Sequence, residues 1–99
     1  MSFEYRFEWD SEKARSNYKK HKISFERVSS VFYDPNAMSI FDEAHSIKEE
    51  RWITLGIDSF GILLVVCHTF KQENDRGALI RIFSSRKANK NEISQYRRI

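Results

Sequence analysis

The sequence predicts an α+β domain spanning residues 1–99, and three observations carry that expectation. Residues 3–9 alternate strictly, with Phe3, Tyr5, Phe7 and Trp9 on one side and Glu4, Arg6 and Glu8 on the other. That period of two belongs to a half-buried antiparallel strand. Phe25, Val28, Val31 and Phe32 instead recur at helical spacing. From Met38 onward, short apolar runs alternate with turn-forming residues such as Asp58-Ser59-Phe60-Gly61.

Each element has a local reason to start and stop. Asp10 can cap a first helix by accepting from the free N–H groups of its opening turn. Ala14 and Tyr18 would be its apolar stripe, and Lys19 to Lys22 would end it with charge that suits the helix dipole. Ser24 caps a second helix, with Ile23 and Val28 placed as a hydrophobic staple. Asp34-Pro35 stops it, because proline disfavours helical dihedrals in the residue before it. Four strands are expected next: Met38 to Phe41, Glu49 to Ile57, Ile62 to Phe70 and Ala78 to Arg86, with Lys71 to Gly77 as a turn. The nearly continuous apolar run from Ile62 reads as a central strand covered on both faces. Asn89 and Glu92 form a capping box, and Ala88 with Ile93 a second staple, for a helix ending near Tyr96. Strands joined by short turns pair antiparallel, with the helices on one face of the sheet.

Composition narrows the classes of function. Hydrophobic residues at 40%, charged residues at 31%, three glycines and one proline exclude a disordered or collagen-like chain. A lone cysteine, Cys67, excludes an internal disulfide and fits a reducing compartment. The opening MSFEYRFEWD has no apolar segment of the secretory kind, and the longest apolar run, Ile62 to Cys67, is far below the ~20 residues that span a bilayer. A cytoplasmic protein without membrane contact is the expectation. The net charge is only +3, but it is unevenly placed. From Arg76 onward seven basic residues, Arg98 among them, face one acid, Glu92, and Lys19, Lys20 and Lys22 form a second cluster around His21. Two basic patches point to a polyanion, nucleic acid first.

The histidines, His21, His45 and His68, show no metal-ligand spacing, and Cys67-His68 are strand neighbours that point to opposite faces. Neither metal nor cofactor is expected. A buried, hydrogen-bonded His68 is the simplest reading. Glycine-rich phosphate loops, nucleophile elbows and dinucleotide fingerprints are missing, which sets aside kinases, serine hydrolases and nicotinamide enzymes. The alternation of the strands should place Glu50, Trp52, Arg81 and Ser85 together, away from Ile53, Leu55, Ile80 and Ile82, with Arg86 on the opposite pleat. Such a face holds what metal-free RNA cleavage needs: arginines for phosphate, a glutamate or histidine to move a proton, and an aromatic ring to stack a base.

The residues also resemble a known family. Trp9-Asp10, Lys13, Asn17, Lys20-His21, Ile23 and Phe25-Glu26 are similar to the opening W-D-x-x-K-x-x-x-N-x-x-K-H-x-[IV]-x-F-E of the BrnT toxins. Phe32 with Asp34-Pro35, Glu49-Glu50-Arg51-Trp52, Gly56, Thr69, then Arg81-Ile82, Ser84, Arg86, Ala88 and Glu92 continue the pattern in order. Ser85 stands where the family commonly has alanine, and His68 where it more usually has tyrosine. The resemblance implies a RelE-like fold and a type II toxin acting as an endoribonuclease. It also implies a BrnA-like ribbon-helix-helix antitoxin that forms a hetero-oligomer with the toxin and contacts operator DNA. Within that frame His21, Glu50, Arg81 and Arg86 are the catalytic candidates, with Glu50 or His21 moving protons. Lys20, Arg51, Trp52, Lys87 and Lys90 are the RNA-binding candidates, Arg51 lying on the core-facing pleat. The alternative is a non-enzymatic module that docks on a DNA-binding subunit.

Overall fold

The computed structural model describes residues 3–97; Arg98, counted in the basic terminal quarter, lies outside them. The chain order is β1 (Glu4–Glu8), α1 (Ser11–His21), α2 (Phe25–Ser29) continued by a 3-10 turn (Ser30–Tyr33), β2 (Met38–Phe41), β3 (Arg51–Ile57), β4 (Leu63–Thr69), β5 (Lys71–Asn74), β6 (Gly77–Lys87) and α3 (Lys90–Arg97). The predicted caps form. Lys13 N–H donates to Asp10 at 3.0 Å, Arg27 N–H donates to Ser24 Oγ at 3.2 Å, and Asn89 and Glu92 each accept the other's backbone N–H. Lys22 closes α1 with φ 60°, its N–H donating to the Tyr18 carbonyl.

The α+β class holds, but the sheet is mixed rather than antiparallel. Its order is β1-β6-β4-β3-β2, with β5 also paired to β6. β1 runs parallel to β6, Glu4 opposite Gly77 through Glu8 opposite Arg81, while the other pairings are antiparallel. Alternation identifies a half-buried strand without fixing its partner's direction. Part of the predicted turn after β4 is strand: Lys71–Asn74 is exposed throughout and pairs with the start of β6, so no apolar pattern announces it.

One face of the sheet carries the core. Leu64, Val66, Ile80 and Ile82 meet Ile23, Phe25, Val28 and Val31, all fully buried, with Tyr5, Phe7, Trp9 and Phe32 packed around them. β3 joins this face through Trp52, Thr54 and Gly56, which lie opposite His68, Val66 and Leu64. Gly56 is the close approach: a Cβ there would stand 2.8 Å from Val31 Cγ1.

The two N-terminal helices meet the sheet differently. α2 covers the core face, and α1 lies along the edge of β6 while its Ala14 packs against the core. β1 pairs only with Gly77–Arg81, so the later half of β6 has no strand on that side. Asn17 takes its place, accepting the Ser85 N–H at 3.0 Å and donating weakly to the Ile23 carbonyl. Accordingly the buried residue of α1 is Asn17, while Tyr18, expected on the apolar stripe, is half exposed.

Most buried polar side chains are paired, the Ser85 hydroxyl being an exception. His68 is 2% exposed; its Nδ1 contacts the Thr69 carbonyl at 2.8 Å and must carry the proton. Nε2 therefore accepts from Thr54 Oγ1 at 2.6 Å, and Thr54 in turn accepts from Ser39 at 2.7 Å. Desolvation lowers the His68 pKa to about 4, so the ring is neutral near pH 7. Burial opposes ionisation of Asp34, but donors at Ile57 N–H, Tyr96 O–H and Asn36 N–H outweigh it and hold its carboxyl below the usual range. The same bond, with burial leading, pushes Tyr96 up to about 12 and fastens α3 to the body. No helix among the described residues is long and apolar enough to cross a membrane.

Candidate functional site

One inserted residue decides which side chains reach the outer face of the sheet. Cys67 lies opposite Ser84 while His68 lies opposite Ile82, so Phe83 is a bulge in β6. Before it, Ala78, Ile80 and Ile82 are buried and Arg81 is exposed; after it, Ser85 is buried and Ser84 and Arg86 are exposed. The bulge thus puts Arg81 and Arg86 on one face although they are five positions apart. Unbroken alternation would place them on opposite pleats.

That outer face also carries Ile40, Ile53, Leu55, Val65 and Cys67, by register with Ser84 and Arg86. Its depression of about 290 Å³ is lined by His21, Ile40, Ile53, Val65, Cys67, Ser84, Ser85, Arg86 and Glu92. His21 comes from the end of α1, Arg86 from the end of β6 and Glu92 from the first turn of α3. The Arg86 guanidinium meets Glu92 fork to fork, at 2.8 and 2.9 Å. This pairing raises the Arg86 pKa and holds the Glu92 carboxyl below its ordinary range, so both stay charged at neutral pH. The Glu92 carboxylate also caps α3, which makes it a fixed group. The result is an apolar floor with an imidazole and a fixed ion pair at its rim.

A second cluster sits at the bulge. Arg51 lies over the Phe83 ring at 4.2 Å from its centroid, Lys13 Nζ at 5.1 Å and Arg81 at 6.0 Å. Glu49 approaches Arg51 at 3.6 Å. Beside this cluster, Glu50 and Arg81 line a further depression with Glu8, Glu49, Thr69, Phe70, Lys71 and Leu79.

The sequence-derived site is therefore split and partly rearranged. His21 and Arg86 come together. Arg81 and Glu50 share the neighbouring depression rather than that one. Trp52 does not share a face with Arg81: it lies opposite His68 on the core side, edge-on to Phe41 at 5.3 Å. Ser85 is 2% exposed on that same side, its backbone held by Asn17. Ile53 and Leu55 sit on the outer face, opposite in sense to Ile80 and Ile82. Arg51 points outward to Phe83, not into the core. Lys20, Lys87 and Lys90 are exposed, and Lys87, opposite Leu64, lies on the pleat away from Arg86. Sequence reasoning missed Lys13, Phe83 and Glu92 as site residues; for Glu92 the signal was present, since its capping box starts three residues after Arg86. Among the described residues, no group of three or more His, Cys, Asp or Glu side chains could hold a metal ion.

Comparison with protein families matches residues 9–92 to the ribonuclease toxin BrnT of type II toxin–antitoxin systems. The chain belongs to this family. Among solved structures it is similar to the Brucella abortus ribonuclease toxin BrnT, known from a crystal structure at 1.1 Å. The two share 18% identity and a TM-score of 0.62, over 88% of this chain and 100% of the other. At that identity the likeness supports the fold. No curated protein matches the chain. The BrnT match spans α1 through Glu92 and so includes every group in the depression lined by His21, Arg86 and Glu92. Membership implies a ribonuclease toxin with an antitoxin partner.

Proposed function

We propose that the chain is a metal-independent endoribonuclease toxin that cuts RNA in the depression between α1, β6 and α3. The observation that carries this reading is the meeting of His21 and Arg86 over an apolar floor, from elements far apart in sequence. Arg86 binds the scissile phosphate and stabilises charge that builds on its oxygens, the part a metal would otherwise take. His21 accepts the 2′-hydroxyl proton as that oxygen attacks phosphorus. The bond from phosphorus to the 5′ oxygen breaks, leaving a 2′,3′-cyclic phosphate and a 5′-hydroxyl. Solvent protonates the departing oxygen, because Glu92 is held ionised by Arg86 and is no acid near neutrality. Glu50, beside Arg81, is a weaker candidate for proton transfer than His21. Lys20, next to His21, and Lys90, at the start of α3, extend the basic rim for the RNA backbone.

In the cell, a BrnA-like ribbon-helix-helix antitoxin neutralises the toxin by covering this face, and the complex reaches operator DNA through the antitoxin. A covering segment meets exposed Ile40 and partly exposed Phe83. A second reading has one observation in its favour: both terminal nitrogens of Arg86 already donate to Glu92, as in a purely structural ion pair. The chain would then be a docking module for a DNA-binding subunit. Digestion of purified RNA, with and without EDTA, separates the two. Cleavage that persists in EDTA and leaves cyclic-phosphate ends supports the enzyme. Cleavage abolished by EDTA and restored by magnesium overturns metal independence, and intact RNA with no growth arrest on induction favours the module.

A further inference from the structure

Three cations from three elements converge on one aromatic ring at the β6 bulge, and they stand apart from the His21–Arg86 depression. Lys13 comes from α1, Arg51 from β3 and Arg81 from β6, all within 6.0 Å of the Phe83 centroid. Glu49 stands 3.6 Å from Arg51, and Glu8 and Glu50 line the adjoining depression with Arg81. The Arg51 Nε is buried and has no hydrogen-bond partner among the described residues. Lys13 and Arg81 form no salt bridge among the described residues. A packed ring that gathers like charges holds them in place without neutralising them, so the cluster is poised for an anion supplied from outside.

The spacing fits a repeating anion. Phe83 and Arg86 are three residues apart on one strand, roughly 10 Å at ~3.3 Å per residue. Lys13 and His21 are eight residues apart on α1, about 12 Å at 1.5 Å per residue. α1 and β6 thus carry two matched stations along one line.

We propose that Lys13, Arg51 and Arg81, organised by Phe83, form a phosphate subsite for an RNA nucleotide one or two steps from the scissile bond. This rests on the reading of the His21–Arg86 depression as the cleavage centre. The subsite recognises backbone charge and carries no base preference of its own, so it rewards length rather than sequence.

The test compares binding of a 2′-O-methyl RNA hexamer with that of a 2′-O-methyl dinucleoside monophosphate, which has a single phosphate. Both lack a free 2′-hydroxyl at the scissile position and are not cut. Wild-type protein binds the hexamer more tightly, with a steeper salt dependence. In Lys13→Met and Arg51→Met the hexamer weakens roughly tenfold each, and the salt slope falls by about 0.7 for each phosphate that is no longer neutralised. Thermal midpoints identify any variant that fails to fold, and Phe83→Leu, which keeps an apolar residue at the bulge, repeats the loss by scattering the cations. Variants that stay folded and keep the hexamer's advantage overturn the subsite, as does a wild type with no advantage of length. If the length advantage is present but unmodified RNA is never cut, the cleavage reading fails and the subsite stands.

Discussion

On the helix-covered face of the sheet, Leu64, Val66, Ile80 and Ile82 meet Ile23, Phe25, Val28 and Val31, and none of the eight is exposed. On the outer face of the same strands, Ile53, Val65 and Cys67 lie beneath His21, Arg86 and Glu92 in an open depression. The first face pairs its buried imidazole, His68, with Thr54 and Thr69. The second leaves charge at the surface, fixed by ion pairs and an aromatic ring. β6 serves both because the Phe83 bulge resets its alternation halfway along. One extra residue lets a single strand supply Ile80 and Ile82 to the core and Arg81 and Arg86 to the outer face.

Substitutions should separate the two faces. The largest effect is expected from Ile82→Ala, which leaves a cavity in the core and costs about 2–5 kcal/mol. A thermal melt should show the midpoint falling by ~10 °C or more. Any loss of RNA cleavage should then follow the folded fraction. A specific loss in fully folded protein would mean that the faces are not separable.

Acid should act on the covered face next. His68 has a pKa of about 4 when folded against an ordinary 6.5, so the unfolded chain binds a proton in that window that the folded chain refuses. Stability is therefore unaffected by His68 above pH 6.5 and falls as pH drops toward 4, by about 1.4 kcal/mol per unit and roughly 3 kcal/mol in all. Urea unfolding at about pH 7 and about pH 4.5, with His68→Gln alongside, measures it. A pH dependence identical in the two proteins would contradict the account.

Asn17 joins the faces. Asn17→Ala leaves the buried Ser85 N–H without its acceptor and frees α1 from the edge of β6, costing about 1–3 kcal/mol. Because His21 rides on that helix, cleavage should fall beyond what the lower stability explains. Equal proportional losses in stability and cleavage would make Asn17 a core residue alone.

Much of this arrangement was legible in the sequence, and the exceptions share a cause. Asp10, Ser24 and the Asn89–Glu92 pair declare their helices because capping is chemistry between near neighbours. β1 shows its burial by alternation, but a parallel partner far along the chain leaves no local trace. β5 is polar on every residue and becomes a strand only because β6 is beside it. The bulge matters most. Two hydrophobic residues, Ile82 and Phe83, stand side by side where alternation changes phase, and without the register of β4 that phase change cannot be read. Reading straight through it sent Arg86 to the opposite pleat and brought Ser85 to the outer face. The pairing of β3 did the same for Trp52, since Ile53 and Leu55 look like the core side until Gly56 is seen to make room for Val31.

The central claim, that the outer face cuts RNA through His21 and Arg86, is tested most directly by Arg86→Ala. The measurement is its single-turnover RNA cleavage rate in EDTA beside its thermal midpoint. The ion pair with Glu92 is partly exposed, so removing it should cost about 1 kcal/mol or less and move the midpoint by only a few degrees. Removing a charge that acts in the transition state should slow cleavage by about a hundredfold. A folded variant that cleaves at the wild-type rate, or one that loses cleavage only by unfolding, would contradict the account.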